Sequence, residues 1–151
     1  TLINGLIGAI IISVTVTGQL GSLTPESDPL RRVRGWQALS TDLERLIELN
    51  NARTIIADRR ATAAILKWYF YEDPVKITVF DSDNQPGNHF ELKFNYNSDS
   101  PSPIIALTQE HKIPSITGID WTGMVGTSNH EIAKNRYRKY YFYLGENLNN
   151  K

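Results

Sequence analysis

The side chains with the greatest chemical capability lie in two short polar segments. Asp58, Arg59 and Arg60 follow the apolar run at 55–57, where a buried strand is expected to hand over to a helix. Ligands of α/β proteins bind beyond the carboxyl ends of strands, and helix N-termini favour anions. Two arginines there would suit a phosphate or a carboxylate. The alternative is that Asp58 caps the helix while both arginines are solvated.

The second polar segment is Asn88-His89-Phe90-Glu91, at the junction between a loop and an expected strand. Such a position suits ligand binding or local hydrogen bonds to the backbone. If both segments meet at one edge of the sheet, they form a polar patch where ligands of open α/β sheets bind. We therefore predict that residues 58–60 and this segment are neighbours and partly exposed.

Other chemistry has little support in the sequence. His89, His111 and His130 are far apart, and none has a second histidine at metal-ligand spacing. Asp81 and Asp83 flank a turn, which is the simpler explanation for that pair. The chain has no P-loop, no G-x-S-x-G motif and no H-E-x-x-H motif. We therefore assign no catalytic residue, no metal and no cofactor.

Two main helices are predicted to position the polar segments. Apolar residues recur at helical spacing from Trp36 to Ile47, and again over residues 61–69. Thr41 and Glu44 match a capping box, so the first helix has an alternative start there. The apolar stripe that runs back to Trp36 favours the earlier start.

Five segments are predicted to be strands because they are apolar or alternate with period two. They are 53–57, 76–81, 89–94, 104–107 and 137–144. The first two enclose a helix, and such a crossover normally joins parallel strands. The expected fold is a small α/β sandwich with a mixed sheet and two main helices.

The first 25 residues contain no charged side chain. A bilayer core requires roughly 20 apolar residues in a helix. We interpret residues 1–23 as an apolar helix, the last transmembrane span of a longer chain, and 24–29 as a linker with two prolines. Residues 30–148 would then form one extracytoplasmic domain. The alternatives are a buried helix of a soluble protein and a strand at 13–17, which alternates with period two.

The charge balance and the absence of cysteine exclude several classes of protein. Lys+Arg and Asp+Glu both number 16, so the formal net charge is zero. A nucleic-acid partner is therefore not expected, because such proteins carry a basic surface. The chain has no cysteine, which excludes disulfide frameworks, thiolate metal sites and cysteine nucleophiles.

Three segments resemble those of a known family. They are Asp28-Pro29-Leu30 with Arg32 and Gly35-Trp36, then Ile56-Ala57-Asp58-Arg59, and Asn88-His89-Phe90-Glu91. The first resembles the junction after the last span of large bacterial membrane glycosyltransferases, and the others resemble parts of their soluble C-terminal domain. These are the protein mannosyltransferase-like and aminoarabinose transferase-like enzymes, which use polyprenyl-phosphate sugar donors. The resemblance covers nearly the whole chain.

The resemblance implies an accessory role. In that family a polytopic membrane part, which lies outside this sequence, carries catalysis on acidic residues of its first external loop. This chain would then be a fragment of a hexosyl or pentosyl transferase and would not be catalytic by itself. Its domain would face the periplasm at the inner membrane. Its expected partners are the membrane, the rest of its own polytopic chain and a lipid-linked sugar.

Two other functions remain open on the residues alone. The first is a stand-alone soluble α/β ligand-binding module whose apolar N-terminus is part of its core. The second is a small soluble enzyme that uses Asp58 or His89, although no base and nucleophile pair is recognisable in the sequence.

Overall fold

Helices and strands alternate along the part of the chain that the computed structural model describes, which is residues 2–17, 32–80, 87 and 89–148. The helices are α1 (Leu2–Thr17), α2 (Trp36–Asn50), α3 (Arg60–Tyr69) and α4 (His89–Phe94). The strands are β1 (Thr54–Ala57), β2 (Lys76–Val79), β3 (Ile104–Thr108), β4 (Ile119–Ala133) and β5 (Arg136–Asn147).

The five strands form one mixed sheet in the order β2-β1-β3-β5-β4. Strand β1 is parallel to both β2 and β3, so that Ala57 lies opposite Val79 on one side and Leu107 on the other. Strand β5 is antiparallel to β3. The predicted α/β class with a mixed sheet is confirmed, as is the parallel crossover from β1 through α3 to β2.

One face of the sheet is covered by α2 and α3. Leu39 and Leu43 of α2 and Leu66 of α3 are fully buried there, against Ile55 and Phe142 of the sheet. The opposite face carries a smaller apolar cluster, made of Ile56, Ile104, Ala106, Ile116 and Ile119. The residues of β1 are buried on both sides for this reason.

Helix α2 begins at Trp36, as its apolar stripe predicts. The alternative start at the capping box is wrong. Thr41 lies inside the helix, where its hydroxyl donates to the carbonyl oxygen of Gln37 at 3.1 Å. The helix ends where Asn51 adopts a positive φ of 50°, a conformation that asparagine tolerates better than most residues.

The strand predicted at 89–94 is wrong, because these residues form α4. Their alternation of aromatic and polar residues also places Phe90 and Phe94 four positions apart, on one side of a helix. The two rings lie 4.9 Å apart between centroids. The ammonium group of Lys67, in α3, lies 4.1 Å from the centroid of the Phe94 ring. The ring pair within α4 and the tertiary contact of Lys67 with Phe94 together favour the helix over the strand.

The chain divides into two compact units. The smaller unit contains α1, whose 16 residues form a continuous helix, so the strand alternative at 13–17 is wrong. Its residues from Ile3 to Ser13 are exposed, except that Gly8 is half-buried. Among the described helices, none combines the length and the apolar character needed to cross a membrane. Residues 18–23 and the predicted linker at 24–29 lie outside the described part.

The smaller unit also contains residues 32–35 and the tip of the β4–β5 hairpin. Arg138 donates from Nε to the carbonyl oxygen of Arg34 at 3.1 Å and from Nη2 to that of Arg32 at 3.0 Å. Arg34 in turn donates to the carbonyl oxygen of Ile132 at 3.3 Å. Arginine side chains thus attach the segment before α2 to the hairpin tip.

Candidate functional site

A cleft of about 350 Å³ opens at the carboxyl ends of β1 and β3. The chain leaves β1 for β2 on one side, whereas β3 lies on the other side of β1. The connections of β1 and β3 therefore lead away from each other between these two strands. Such a switch point in a parallel sheet is where α/β proteins bind ligands. The parallel arrangement of β1, β2 and β3 creates the cleft, which belongs entirely to the larger unit.

The loop after β3 forms one wall of the cleft. Glu110 and Lys112 of this loop line the cleft together with Ile113 and Ser115. Hydrogen bonds donated by backbone amides within the segment fix the conformation of the loop. The amide of Glu110 donates to the hydroxyl of Thr108 at 3.0 Å, and the amide of Lys112 donates to the carbonyl oxygen of Glu110 at 2.8 Å. The wall therefore presents several polar groups from one short segment.

Asp58 links the two strands at the base of the cleft. Its amide donates to the carbonyl oxygen of Leu107 at 3.1 Å, and its Oδ2 accepts the amide of Gln109 at 3.0 Å. The interpretation of Asp58 as the helix cap is wrong, because Arg59 occupies the N-cap position of α3 and its side chain makes no capping bond. The carboxylate is instead directed across to β3, and 18% of its side chain remains exposed.

A chain of hydrogen bonds runs from the cleft into the core through Tyr140. Gln109 donates from Nε2 to the Tyr140 hydroxyl at 3.2 Å, and that hydroxyl lies 3.0 Å from Oγ1 of Thr62. Thr62 donates to Oδ1 of Asp58 at 3.5 Å. Since the carboxylate only accepts, the Tyr140 hydroxyl must donate to Thr62. Thr62 and Tyr140 are buried, so this network holds Asp58 against the sheet.

Burial raises the pKa of Asp58 above its ordinary value of 3.8. The amide of Gln109, the charge of Arg59 and the hydroxyl of Thr62 favour the ionised form and offset part of the effect. Desolvation, which disfavours the charged carboxylate, is the largest of these influences on the pKa of Asp58. The native state therefore holds this proton more tightly than the unfolded chain does.

This raised pKa predicts a pH dependence of stability. As the pH rises from 3.8 through the folded-state pKa, the native chain must release a proton that the unfolded chain has already lost. The stability associated with Asp58 is present below that window and is lost above it. We expect Asp58→Asn to become progressively more stable relative to the natural chain across this window, in urea unfolding curves at successive pH values.

The exposed Asp99 provides the control, because Asp99→Asn changes a carboxyl that makes no contribution to the cleft. A stability difference between Asp58→Asn and the natural chain that is the same at every pH would contradict the prediction.

The two arginines beside Asp58 lie on the surface. Arg59 has 66% of its side chain exposed, and its Nε lies 4.0 Å from Oδ2 of Asp58. Arg60 is also exposed. Neither residue lines the cleft. An exposed ion pair of this kind contributes little to stability.

The second polar segment follows β2 in the sequence, after residues 81–86, which lie outside the described part. Phe80, which directly follows β2, lines the cleft together with Asp58. In the segment itself, His89 is exposed and Glu91 accepts the amide of Gly87 at 2.7 Å. Asn88 lies outside the described residues. That the two segments form one patch stays a prediction.

The wall after β3 and the partners of Asp58 were not predicted from the sequence. A signal for the wall was present, since the polar run 108–112 directly follows the apolar run 104–107. A polar run after a buried strand is the same pattern that singled out Asp58 after β1. Thr62 and Tyr140 had no such signal, because they are 78 positions apart in the sequence.

Comparisons of the chain with protein-family models, with curated proteins and with solved structures gave no match.

Proposed function

We propose that this chain is the C-terminal accessory part of an integral-membrane glycosyltransferase that transfers a sugar from a polyprenyl-phosphate donor. Its α/β domain lies on the extracytoplasmic side of the inner membrane and is not catalytic by itself. The resemblance of residues 28–36, 56–59 and 88–91 to that family supports the proposal. The proposed partners are the membrane, the remainder of the polytopic chain and the lipid-linked sugar.

The observation that carries the accessory role is the composition of the cleft. Among the described residues that line it, the titratable ones are Asp58, Glu110 and Lys112. Asp58 is engaged by the amide of Gln109 and by Thr62, so it is held as an acceptor. Carboxylates and an ammonium group around an apolar wall are suited to holding a ligand in one orientation.

The exposure of α1 supports attachment to an apolar environment. The large apolar side chains of α1 between Ile3 and Ile12 are 51% to 73% exposed. A helix that is apolar on all sides is normally surrounded by other apolar groups. In the proposal, the bilayer and the other membrane helices supply those groups.

We expect the purified chain to show no sugar transfer when it is supplied with a polyprenyl-phosphate sugar and an acceptor. In the same assay, the full-length enzyme should be active and should lose activity when residues 30–148 are removed, because the domain positions a substrate. The measurement is the rate of formation of glycosylated acceptor. Turnover by the isolated chain, or an unaffected rate after the deletion, would refute the accessory role.

The alternative function is a stand-alone soluble ligand-binding module whose core includes the apolar N-terminus, and the same cleft would serve it. A chain without residues 1–24 separates the two proposals. The accessory domain should unfold cooperatively at the same urea concentration with or without these residues. The stand-alone module should lose much of its stability, because part of its core would be gone.

A further inference from the structure

We propose that the cleft beside Asp58 binds a neutral, polyhydroxylated ring, that is, a single sugar unit, and rejects phosphate. This inference rests on the proposed function and deepens it, because it names the part of the substrate that the domain contacts. The same sugar chemistry is available from the lipid-linked donor and from a glycosylated acceptor.

The formal charge of the residues that line the cleft disfavours an anion as the main ligand. Two carboxylates, those of Asp58 and Glu110, face one ammonium group, that of Lys112, so the formal charge of the lining is negative. The arginines that would attract phosphate, Arg59 and Arg60, do not line the cleft. Arg59 offsets part of the Asp58 charge, with its Nε 4.0 Å from Oδ2, but the lining itself would offer a phosphate group one ammonium against two carboxylates.

The hydrogen-bonding groups of the cleft match hydroxyls, which both donate and accept. Each carboxylate oxygen of Asp58 accepts one bond from the protein and has a further lone pair available, so the two together can accept from adjacent hydroxyls. Thr108 accepts the amide of Glu110 and retains its own proton for donation. The Lys112 ammonium adds further donors. A purely accepting ligand would satisfy only part of this set.

The apolar part of the lining suits the carbon face of a ring. Phe80 and Pro114 line the cleft, together with Ile56 and Ile113. The volume of about 350 Å³ lies at the lower end of the range for small-molecule sites. One ring with its hydroxyls fits this combination of apolar wall and polar rim better than an extended lipid chain does.

The test is a titration of the whole 151-residue chain with small-molecule probes, in which two-dimensional NMR spectra of the backbone amides report binding. The probes are methyl α-mannopyranoside, methyl β-arabinopyranoside, mannose 1-phosphate and inorganic phosphate. We expect saturable shifts with at least one methyl glycoside, concentrated at Asp58 and residues 108–116. We expect no shifts at these residues with inorganic phosphate. We also expect mannose 1-phosphate to bind no more tightly than the methyl glycosides.

Substitutions identify the groups responsible. Asp58→Asn should weaken glycoside binding about tenfold, since hydrogen bonds to a charged group are stronger than those to a neutral amide. Glu110→Gln, in an exposed loop, should weaken binding in the same direction without endangering the fold. The exposed Asp99 serves as the matched control, because Asp99→Asn should leave the dissociation constant unchanged.

Three results would overturn the inference. The first is that neither glycoside gives saturable shifts at the cleft. The second is that phosphate or mannose 1-phosphate binds there more tightly than the methyl glycosides. The third is that Asp58→Asn and Glu110→Gln both leave the dissociation constant within twofold. None of these results depends on transfer activity, so they test the cleft inference separately. Turnover by the isolated chain would refute only the accessory role.

Discussion

Replacing Phe142 by alanine is expected to lower the free energy of unfolding by about 3–5 kcal/mol, the usual cost of removing a buried phenyl ring. Phe142 is 0% exposed and lies on β5, where it pairs with Leu107 of β3. Its ring lies over Gly126, since a Cβ atom there would be 3.6 Å from Cδ2 of the ring. The substitution therefore leaves a cavity between the sheet and the helices that cover it, which the neighbouring side chains can fill only in part.

The measurement for Phe142→Ala is equilibrium unfolding in urea, followed by circular dichroism. Tyr137 lies on the same strand and is exposed, so Tyr137→Ala provides the control and should change stability little. A loss of less than about 1 kcal/mol for Phe142→Ala would contradict the packing of β5 against α2, because the cavity left by a buried aromatic ring costs well above that amount.

Replacing Gly145 by alanine is expected to destabilise the chain by about 1–3 kcal/mol, the usual cost of overpacking a core. A Cβ atom at this position would lie 2.5 Å from Cγ2 of Ile119 and 2.8 Å from Cε3 of Trp121. It would also lie 3.1 Å from the carbonyl oxygen of Asp120, which belongs to the backbone. The strand β4 would have to move away from β5 to admit one methyl group.

A double substitution tests this mechanism for Gly145. Ile119→Ala removes the closest atom, so Gly145→Ala should cost less in that background than in the natural chain, and the two changes should not be additive. Gly87 is exposed, and the nearest atom to a Cβ there is Oε2 of Glu91 at 3.4 Å. Gly87→Ala should therefore be close to neutral. Equal effects at Gly145 and Gly87 would show that crowding is not the cause.

The elements that could be predicted are those whose signals are local. The stripe of α2 and the buried run of β1 follow from periodicity and apolar composition, which reflect the burial of one helix face and of both strand faces. The parallel pairing of β1 and β2 followed from the length of the crossover between them. Residues 89–94 lacked a decisive local signal, because Phe90 and Phe94 fit either period. The contact between their rings within α4 and the contact of the Lys67 ammonium group of α3 with the Phe94 ring accompany the helix.

The candidate site was predictable only as a position. Sequence alone determined that Asp58 follows a buried strand, at the edge where α/β proteins bind ligands. Tertiary structure decided what Asp58 contacts, since the amide of Gln109, which directly follows β3, donates to its carboxylate, and Tyr140 of β5 reaches it only through Gln109 and Thr62. It also decided that Arg59 and Arg60 lie outside the cleft while Glu110 and Lys112 line it. The physical reason is that strand pairing over long sequence separation brings these groups together, whereas periodicity records only which face of an element is buried.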